Sequence, residues 1–414
     1  MELKFGFITF ASKLLKPSEQ NMIMHEFSPL LSKNGGEQWT VEQFRKDLPL
    51  VFFILSGGTE KLVLDFIEKN YPDSREPVYL IAHPYNNSLP AAFEIFARIR
   101  QKKCRGNVFY LTGEEDNIGF KKLISRLQAA RIYSNLRTSR IGLIGGASDW
   151  LVASQPDFNL ISSRWGPEII PLTFADLDQK VSEISPEEIL SMYDSLTVNS
   201  LEIEGPSPQD IKNSVKIYLG LKKVIDAYDL HAISLRCFDL LDSHQSTGCL
   251  ALAKLNSENY IGGCEGDLIS TLTQLWLKLH LGKVAWMANP VQLDEERYRL
   301  QLAHCSVPFS MISDYRLKTH FESDSGVGIS GNLKSGVVTL IRLGGADLQD
   351  IWLAEGELIR NLSQPAQCRT QIEIQLFDRN TMQSLLENPL GNHLVMIYGA
   401  HARELLSWWY YYIK

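Results

Sequence analysis

The sequence predicts an α/β protein: two domains built on doubly wound parallel sheets, followed by a β-rich C-terminal domain. Three observations carry this. Short apolar runs bounded by Gly, Pro or Asn alternate with helical periods up to residue 290. Those runs are apolar on consecutive residues, as in strands covered on both faces. Beyond residue 290 the strand candidates follow one another without intervening helices.

In chain order, "KFGFITF", "LPLVFFILSGG", "PVYLIAHP" and "GNVFYLTG" read as buried strands. Between them, "TEKLVLDFIEKNY" and "SLPAAFEIFARIRQKK" repeat apolar residues at a spacing near 3.6, the period of a helix with one buried face. This alternation predicts a Rossmann-like domain over residues 1–138. A second one, over 139–290, opens at "SRIGLIGGASDWLVAS", read as a strand, a glycine turn and a helix. Gly145 and Gly146 belong to neither a GxGxxG nor a P-loop pattern, so they read as a tight turn rather than a phosphate cradle. The long helix "SPQDIKNSVKIYLGLKKVIDAYDL" and the strand "AISLRCFDLL" follow. Over 291–414, "RYRLQLAHCSV", "GVGISGNL", "GVVTLIRLGG", "IWLAEGELI" and "TQIEIQLFD" predict an antiparallel sheet or barrel, closed by helix, strand and helix in "TMQSLLENPLGNHLVMIYGAHARELLSWW".

Composition narrows the function. The 414 residues are 44% hydrophobic, enough for a large core. A net charge of −7 without a basic stripe speaks against nucleic acid or a membrane surface as partner. The opening "MELKFGFITFASKLLK" is interrupted by Lys4 and lacks a small-residue cleavage site, so it reads as a first strand rather than a signal peptide. No run approaches the roughly 18 apolar residues of a membrane span. A cytoplasmic location is expected. Cys104, Cys237, Cys249, Cys264, Cys305 and Cys368 show no CxxC or finger spacing, which predicts reduced, mostly buried thiols rather than disulfides or a zinc site.

The candidate chemistry centres on "YIGGCEGDLISTLTQLWLKL", residues 260–279. Glu265 follows the strand-like "NYIGG" and precedes Asp267, a natural N-cap for an amphipathic helix over "LISTLTQLWLKLHLG". Ligands of α/β proteins bind at the C-terminal ends of parallel strands; a carboxylate meeting the helix dipole is the purely structural alternative. Asn289, at the end of the next strand "KVAWMANP", can face the same edge, although Asn before Pro is also turn chemistry. His304 in "QLAHCSVP" and His393 in "GNHLVMIYGAH" interrupt apolar strands. Each alone reads as a hydrogen-bonded core histidine, yet Glu, His and Asn donors together suit a hard or borderline cation such as Mn²⁺. "THFESDSGVGISGNLKSG" sets His320, Glu322 and Asp324 beside a Gly-rich hairpin, either as a polar turn or as substrate contacts. His401 does not share a strand face with His393, reads as helical and has no assigned role.

The segments "HPYNNSLPAAFEI", "SLRCFDLLDSHQSTGCLALAKLN", "GGCEGDLISTLTQLW", "AWMANPVQLDEE", "LAHCSVP" and "NHLVMIYGAH" together resemble the L-fucose/L-arabinose isomerase superfamily. The resemblance implies two Rossmann-like domains, a β-rich C-terminal domain and a homo-oligomer with active sites near subunit interfaces. It also implies Mn²⁺-assisted interconversion of an aldose and a ketose through an enediol, on a small sugar substrate. Carried over by position, Glu265 matches the family's metal-binding acid/base glutamate and His393 its C-terminal histidine ligand. His304 falls where the arabinose-type branch has another histidine ligand. Asn392 and Glu322 are expected to contact substrate. Asn289 stands where the fucose-type branch carries an aspartate that binds metal and moves protons; its amide can coordinate a cation but cannot exchange a proton near neutral pH. Glu322, Asp294 or a metal-bound water is then left to supply the second proton transfer. A sugar-binding or regulatory homologue that has lost turnover is the alternative. A dinucleotide-dependent oxidoreductase lacks its glycine fingerprint. The terminal "SWWYYYIK" is expected to expose aromatics that a neighbouring subunit covers.

Overall fold

The structure, a computed structural model, describes residues 3–71, 77–113 and 116–414. The chain divides into two compact units, residues 1–135 and 136–414.

The first unit holds a five-stranded parallel sheet of β1 (Phe5–Phe10), β2 (Gly36–Gln38), β3 (Leu50–Ile54), β4 (Val78–Ala82) and β5 (Gly106–Tyr110), in the order β2-β1-β3-β4-β5. Every residue of β3 and β4 is buried, as their unbroken apolar runs require. The helices Glu60–Asn70 and Ser88–Gln101 each present one apolar face, through Val63, Phe66 and Ile67 and through Ala91, Ala92, Ile95 and Ile99, to the core formed with β3 and β4.

The second unit opens with β6 (Arg140–Ile144), β7 (Glu168–Leu172), β8 (Glu202–Glu204), β9 (Ala232–Leu235) and β10 (Gly262–Cys264). All but β8 form a four-stranded parallel sheet in the order β10-β9-β6-β7. Then come β11 (Trp286–Asp294), β12 (Arg299–His304), β13 (Ile312–Lys318), β14 (Gly328–Leu333), β15 (Gly336–Gly344), β16 (Asp350–Leu362), β17 (Thr370–Leu376) and β18 (Leu394–Tyr398). Six of these close an antiparallel barrel, β11-β12-β17-β16-β15-β18, while β13 and β14 extend to β8 in a separate three-stranded sheet. Trp286, Leu300, Leu302, Leu340, Leu358, Ile372 and Met396 from the barrel strands belong to one buried core. The protein is thus mixed α/β, with two parallel sheets and a separate antiparallel barrel.

Four local expectations need correction. No helix follows Gly145 and Gly146 directly: residues 145–157 form turns, and the helix starts at Phe158 after Asp157, whose carboxylate accepts from the Asn159 and Leu160 N–H groups. The helix Leu268–Leu281 is not amphipathic, because every residue from Leu268 to Leu277 is buried. Its hydroxyls are satisfied locally, Thr271 on the Asp267 carbonyl and Thr273 on the Ile269 carbonyl, both at 2.7 Å. Asn289 is not the end of its strand, since β11 runs on to Asp294. Trp408 and Tyr412 of the C-terminal helix Ala402–Tyr412 are buried within this chain, Trp408 against Trp276 and Trp165; Tyr410 is the strongly exposed aromatic there. Among the described residues, no helix is long and apolar enough to cross a membrane.

Candidate metal centre

The C-terminal end of β10 faces one rim of the barrel. Glu265 directly follows β10. His304 ends β12, and His393 immediately precedes β18. On the strand between those two, β11, Ala288 pairs with Leu394 and Asn289 with Ala303, so pairing in the barrel brings His304 and His393 to the same rim. The register of β11 slips between Pro290 and Gln292, an irregularity of the kind that re-aims side chains beside sites. One oxygen of Glu265 and one ring nitrogen each of His304 and His393 lie within 4.8 Å of one another, and all three residues are buried.

Local backbone geometry fixes Glu265. Its φ is +62°, unusual for a residue with a side chain, and that of Gly266 is +71°. Gly266 cannot be replaced without movement, since a Cβ there would stand 2.2 Å from the Gly146 carbonyl oxygen. The Glu265 carbonyl accepts from the Ser148 N–H at 2.9 Å, and Glu265 Oε2 accepts from Trp150 Nε1 at 2.6 Å. The turns after β6 therefore serve as the bracket that holds Glu265 in place.

Asp267 caps the following helix, accepting from Ser270 N at 2.8 Å, as its position predicts. It does more than cap. Its Oδ2 binds Arg342 Nη1 at 2.9 Å, Ser270 Oγ at 2.8 Å and His393 Nδ1 at 2.9 Å, all buried. With Nδ1 so engaged, His393 turns Nε2 toward Glu265 Oε1, 3.4 Å away; this nitrogen is buried and makes no hydrogen bond. A carboxylate fixing one ring nitrogen while the other is left bare is how metal-ligating histidines are oriented. Ser306 Oγ likewise lies 2.8 Å from His304 Nδ1.

The electrostatics pair the groups. Burial alone would raise the Glu265 carboxyl, but His393, His304 and the Trp150 bond outweigh it and hold it at about 2. Burial would lower His393, yet Asp267 and Glu265 bring it up to about 9. Burial also works against the Asp267 carboxylate, and Arg342 and His393 more than offset it, leaving the group well below the usual carboxylate range. His304 is pushed down to about 3, first by burial and then by His393, so it is neutral and ready to donate a lone pair.

Glu265 and His304 open onto a cavity of about 470 Å³ that Asn289, Asn392, Glu322, Trp150 and Phe238 also line. Glu322 is exposed, on the loop after β13. Asp324 is an exposed turn residue with φ +48°. Asp294 is at the far end of β11, bound to Arg297 in the hairpin turn, and does not line the cavity, which removes it as a proton carrier. His401 is the N-cap residue of the last helix. Two partners carry no signal of their role in the sequence: Trp150, which donates to Glu265, lies in a stretch whose pattern predicts a helix, and Arg342, which binds Asp267, is a lone cation in an apolar strand.

Fold and site together define a mixed α/β protein with a buried carboxylate–histidine centre able to hold a metal ion. Comparison of the chain with protein-family models and with curated proteins finds no match.

Proposed function

We propose that the protein is a metal-dependent sugar ketol-isomerase of the fucose/arabinose type. On this reading the parallel sheets are Rossmann-like, the protein works in the cytoplasm as a homo-oligomer, and a cation such as Mn²⁺ sits between Glu265, His304 and His393. One observation carries the reading: three ligand-type side chains, far apart in sequence, meet within 4.8 Å beside a cavity lined by two asparagines and an acid. One carboxylate with two imidazoles suits Mn²⁺ or a similar borderline ion.

Such a cation, when bound, would polarise the sugar oxygens and stabilise negative charge on the enediol. The chain's own residues supply the rest. Glu265 is positioned to bind and to accept the proton leaving the substrate carbon. His393 must give up its proton before its Nε2 can act as a ligand, and this removes the positive partner that holds the Glu265 carboxyl low. Asn289 and Asn392 can hydrogen-bond sugar hydroxyls without exchanging protons. Glu322 is the carboxylate left at the cavity to move the hydroxyl proton.

The amide of Asn289 in the cavity favours a second reading, a sugar-binding homologue without turnover. Solvent-deuterium incorporation distinguishes the two. An isomerase supplied with Mn²⁺ and a panel of pentoses, hexoses and deoxyhexoses should place deuterium on the carbon next to the carbonyl of at least one sugar, and Glu265→Gln should abolish it. Sugar binding without uptake for any sugar would overturn the isomerase reading in favour of the second.

A further inference from the structure

We infer a second metal site in the same cavity, formed by Cys249, Cys305 and His320, that takes a thiophilic d¹⁰ cation of the Zn²⁺ type. One atom from each residue, two sulfurs and one ring nitrogen, lies within 4.8 Å of the others, and all three residues are buried. This inference does not depend on the isomerase reading.

The three ligands come from three elements that the backbone ties together. Cys249 is the first residue of the helix Cys249–Ser257, Cys305 follows the end of β12, and His320 lies just beyond β13. The segment after His320 bonds to both cysteine segments: Leu250 N–H donates to the Val327 carbonyl at 3.2 Å, and Ile329 N–H to the Cys305 carbonyl at 2.9 Å. Gly326 packs so closely on Thr247 that a Cβ there would stand 2.5 Å from the Thr247 nitrogen. The ligand triangle is therefore set by main-chain contacts and not by long flexible side chains.

The Cys305 contact and burial push the Cys249 thiol well above its ordinary range, and burial does the same to Cys305. It is therefore a bound cation that would draw off their protons, and two local features then favour the thiolates. Cys249 occupies the first turn of its helix, where the dipole favours an anion. The Arg369 N–H points at Cys305 Sγ from 3.4 Å. His320 rests edge-on against Phe238, with ring centroids 5.1 Å apart, which limits its rotation. Cys249, Cys305, His320 and Cys368 all line the cavity, so a fourth position can be filled from the cavity or by Cys368. Two thiolates and an imidazole select a cation of the Zn²⁺ type, whereas Glu265, His304 and His393 carry no sulfur and suit harder ions. Each thiol releases its proton to solvent when the cation binds, and His320 binds in its neutral form.

Co²⁺ separates the two sites, because only sulfur ligands give it thiolate-to-metal charge-transfer absorption in the near ultraviolet. Titrating the reduced, metal-free full chain with Co²⁺ should produce that band, and added Zn²⁺ should bleach it. Cys249→Ser and Cys305→Ser should each weaken the band and the double substitution should remove it, while Glu265→Gln and Cys237→Ala should leave it in place. No band in the wild-type protein, or one that survives in the double variant, would overturn the proposal. If the variants do not fold, X-ray absorption of the Zn²⁺-loaded wild type decides: two sulfur scatterers at about 2.3 Å support the site, and a shell of nitrogen and oxygen alone overturns it.

Discussion

His393 Nδ1 and Asp267 Oδ2 form a fully buried contact of 2.9 Å across 126 positions of sequence, and this contact decides which nitrogen of the histidine faces Glu265. Asp267 also neutralises Arg342, so a single carboxylate anchors the helix start, a buried cation and a histidine of the candidate metal centre.

Asp267→Asn should therefore act in two separable ways. It leaves the Arg342 charge buried without its counter-ion, a loss on the order of 3–5 kcal/mol in urea unfolding. It also frees the His393 ring, which should weaken Mn²⁺ binding roughly 10- to 100-fold. Combining it with Arg342→Met should restore much of the stability and none of the affinity. Calorimetric titration of single and double variants tests this, and recovery of both together would show that Asp267 acts on the site only through the fold.

The elevated pKa of His393 sets a pH window for the metal-free protein. Its folded value near 9 lies above the ordinary 6.5, so the stabilisation it contributes is complete below about 6.5 and is lost as pH rises through about 9. His83, His280, His304 and His320 shift the opposite way, chiefly through burial, and their effects fall below 6.5. Unfolding free energy with a chelator present should fall by on the order of 1–3 kcal/mol between pH 6.5 and 9. His393→Gln should flatten that slope, and an equally steep slope in the variant would assign it to another group.

The turn beneath Glu265 allows a comparison of two glycines. Gly146 and Gly266 both have positive φ, but a Cβ on Gly146 meets no atom within 4 Å, whereas on Gly266 it meets the Gly146 carbonyl. Gly146→Ala should cost about 1–2 kcal/mol, the backbone penalty alone. Gly266→Ala should cost more and also displace Glu265, weakening metal binding. Equal costs with unchanged affinity in both would show that the loop adapts without moving the carboxylate.

How much of this was legible in the sequence depended on the range of the signal. β1, β3, β4 and β5 were readable because each is a compact apolar run with turn residues at its ends. β8 was not: "EIE" is three exposed residues whose pairing with β13 lies more than a hundred positions away, so neither length nor alternation marks it. The helix after Asp267 was placed correctly, but its burial was misread because serine and threonine count as polar in a periodicity even when their hydroxyls bond within the helix. Glu265, His304 and His393 were legible as polar residues in apolar surroundings, but the two histidines meet through the pairing of β12 and β18 with β11, and Glu265 reaches them from the end of β10 in the parallel sheet, relationships that no short window contains. Cys249, Cys305 and His320 were not legible as a group, since their spacing is that of three separate elements.

Asn289 provides the sharpest test of the site, because it lines the cavity from the strand flanked by those that place both histidines. With Asn289, the groups at the rim carry one carboxylate, Glu265, for a divalent cation; Asp267 is already committed to Arg342 and His393. Asn289→Asp keeps nearly the same shape and adds a negative charge, so Mn²⁺ affinity should rise roughly tenfold or more, as added ligand charge does at oxygen-rich sites. The fold should hold, because Asn289 is only partly buried and the cavity gives the new charge access to water. A carboxylate there can also exchange protons where an amide cannot, so deuterium uptake into the responsive sugar should increase if the hydroxyl proton passes on this side of the cavity. Tighter Mn²⁺ binding without faster uptake would make Asn289 a site for the cation alone and leave the proton to Glu322, whose replacement by Gln should then slow exchange. Unchanged affinity would place Asn289 outside the coordination sphere and leave the centre to Glu265, His304 and His393.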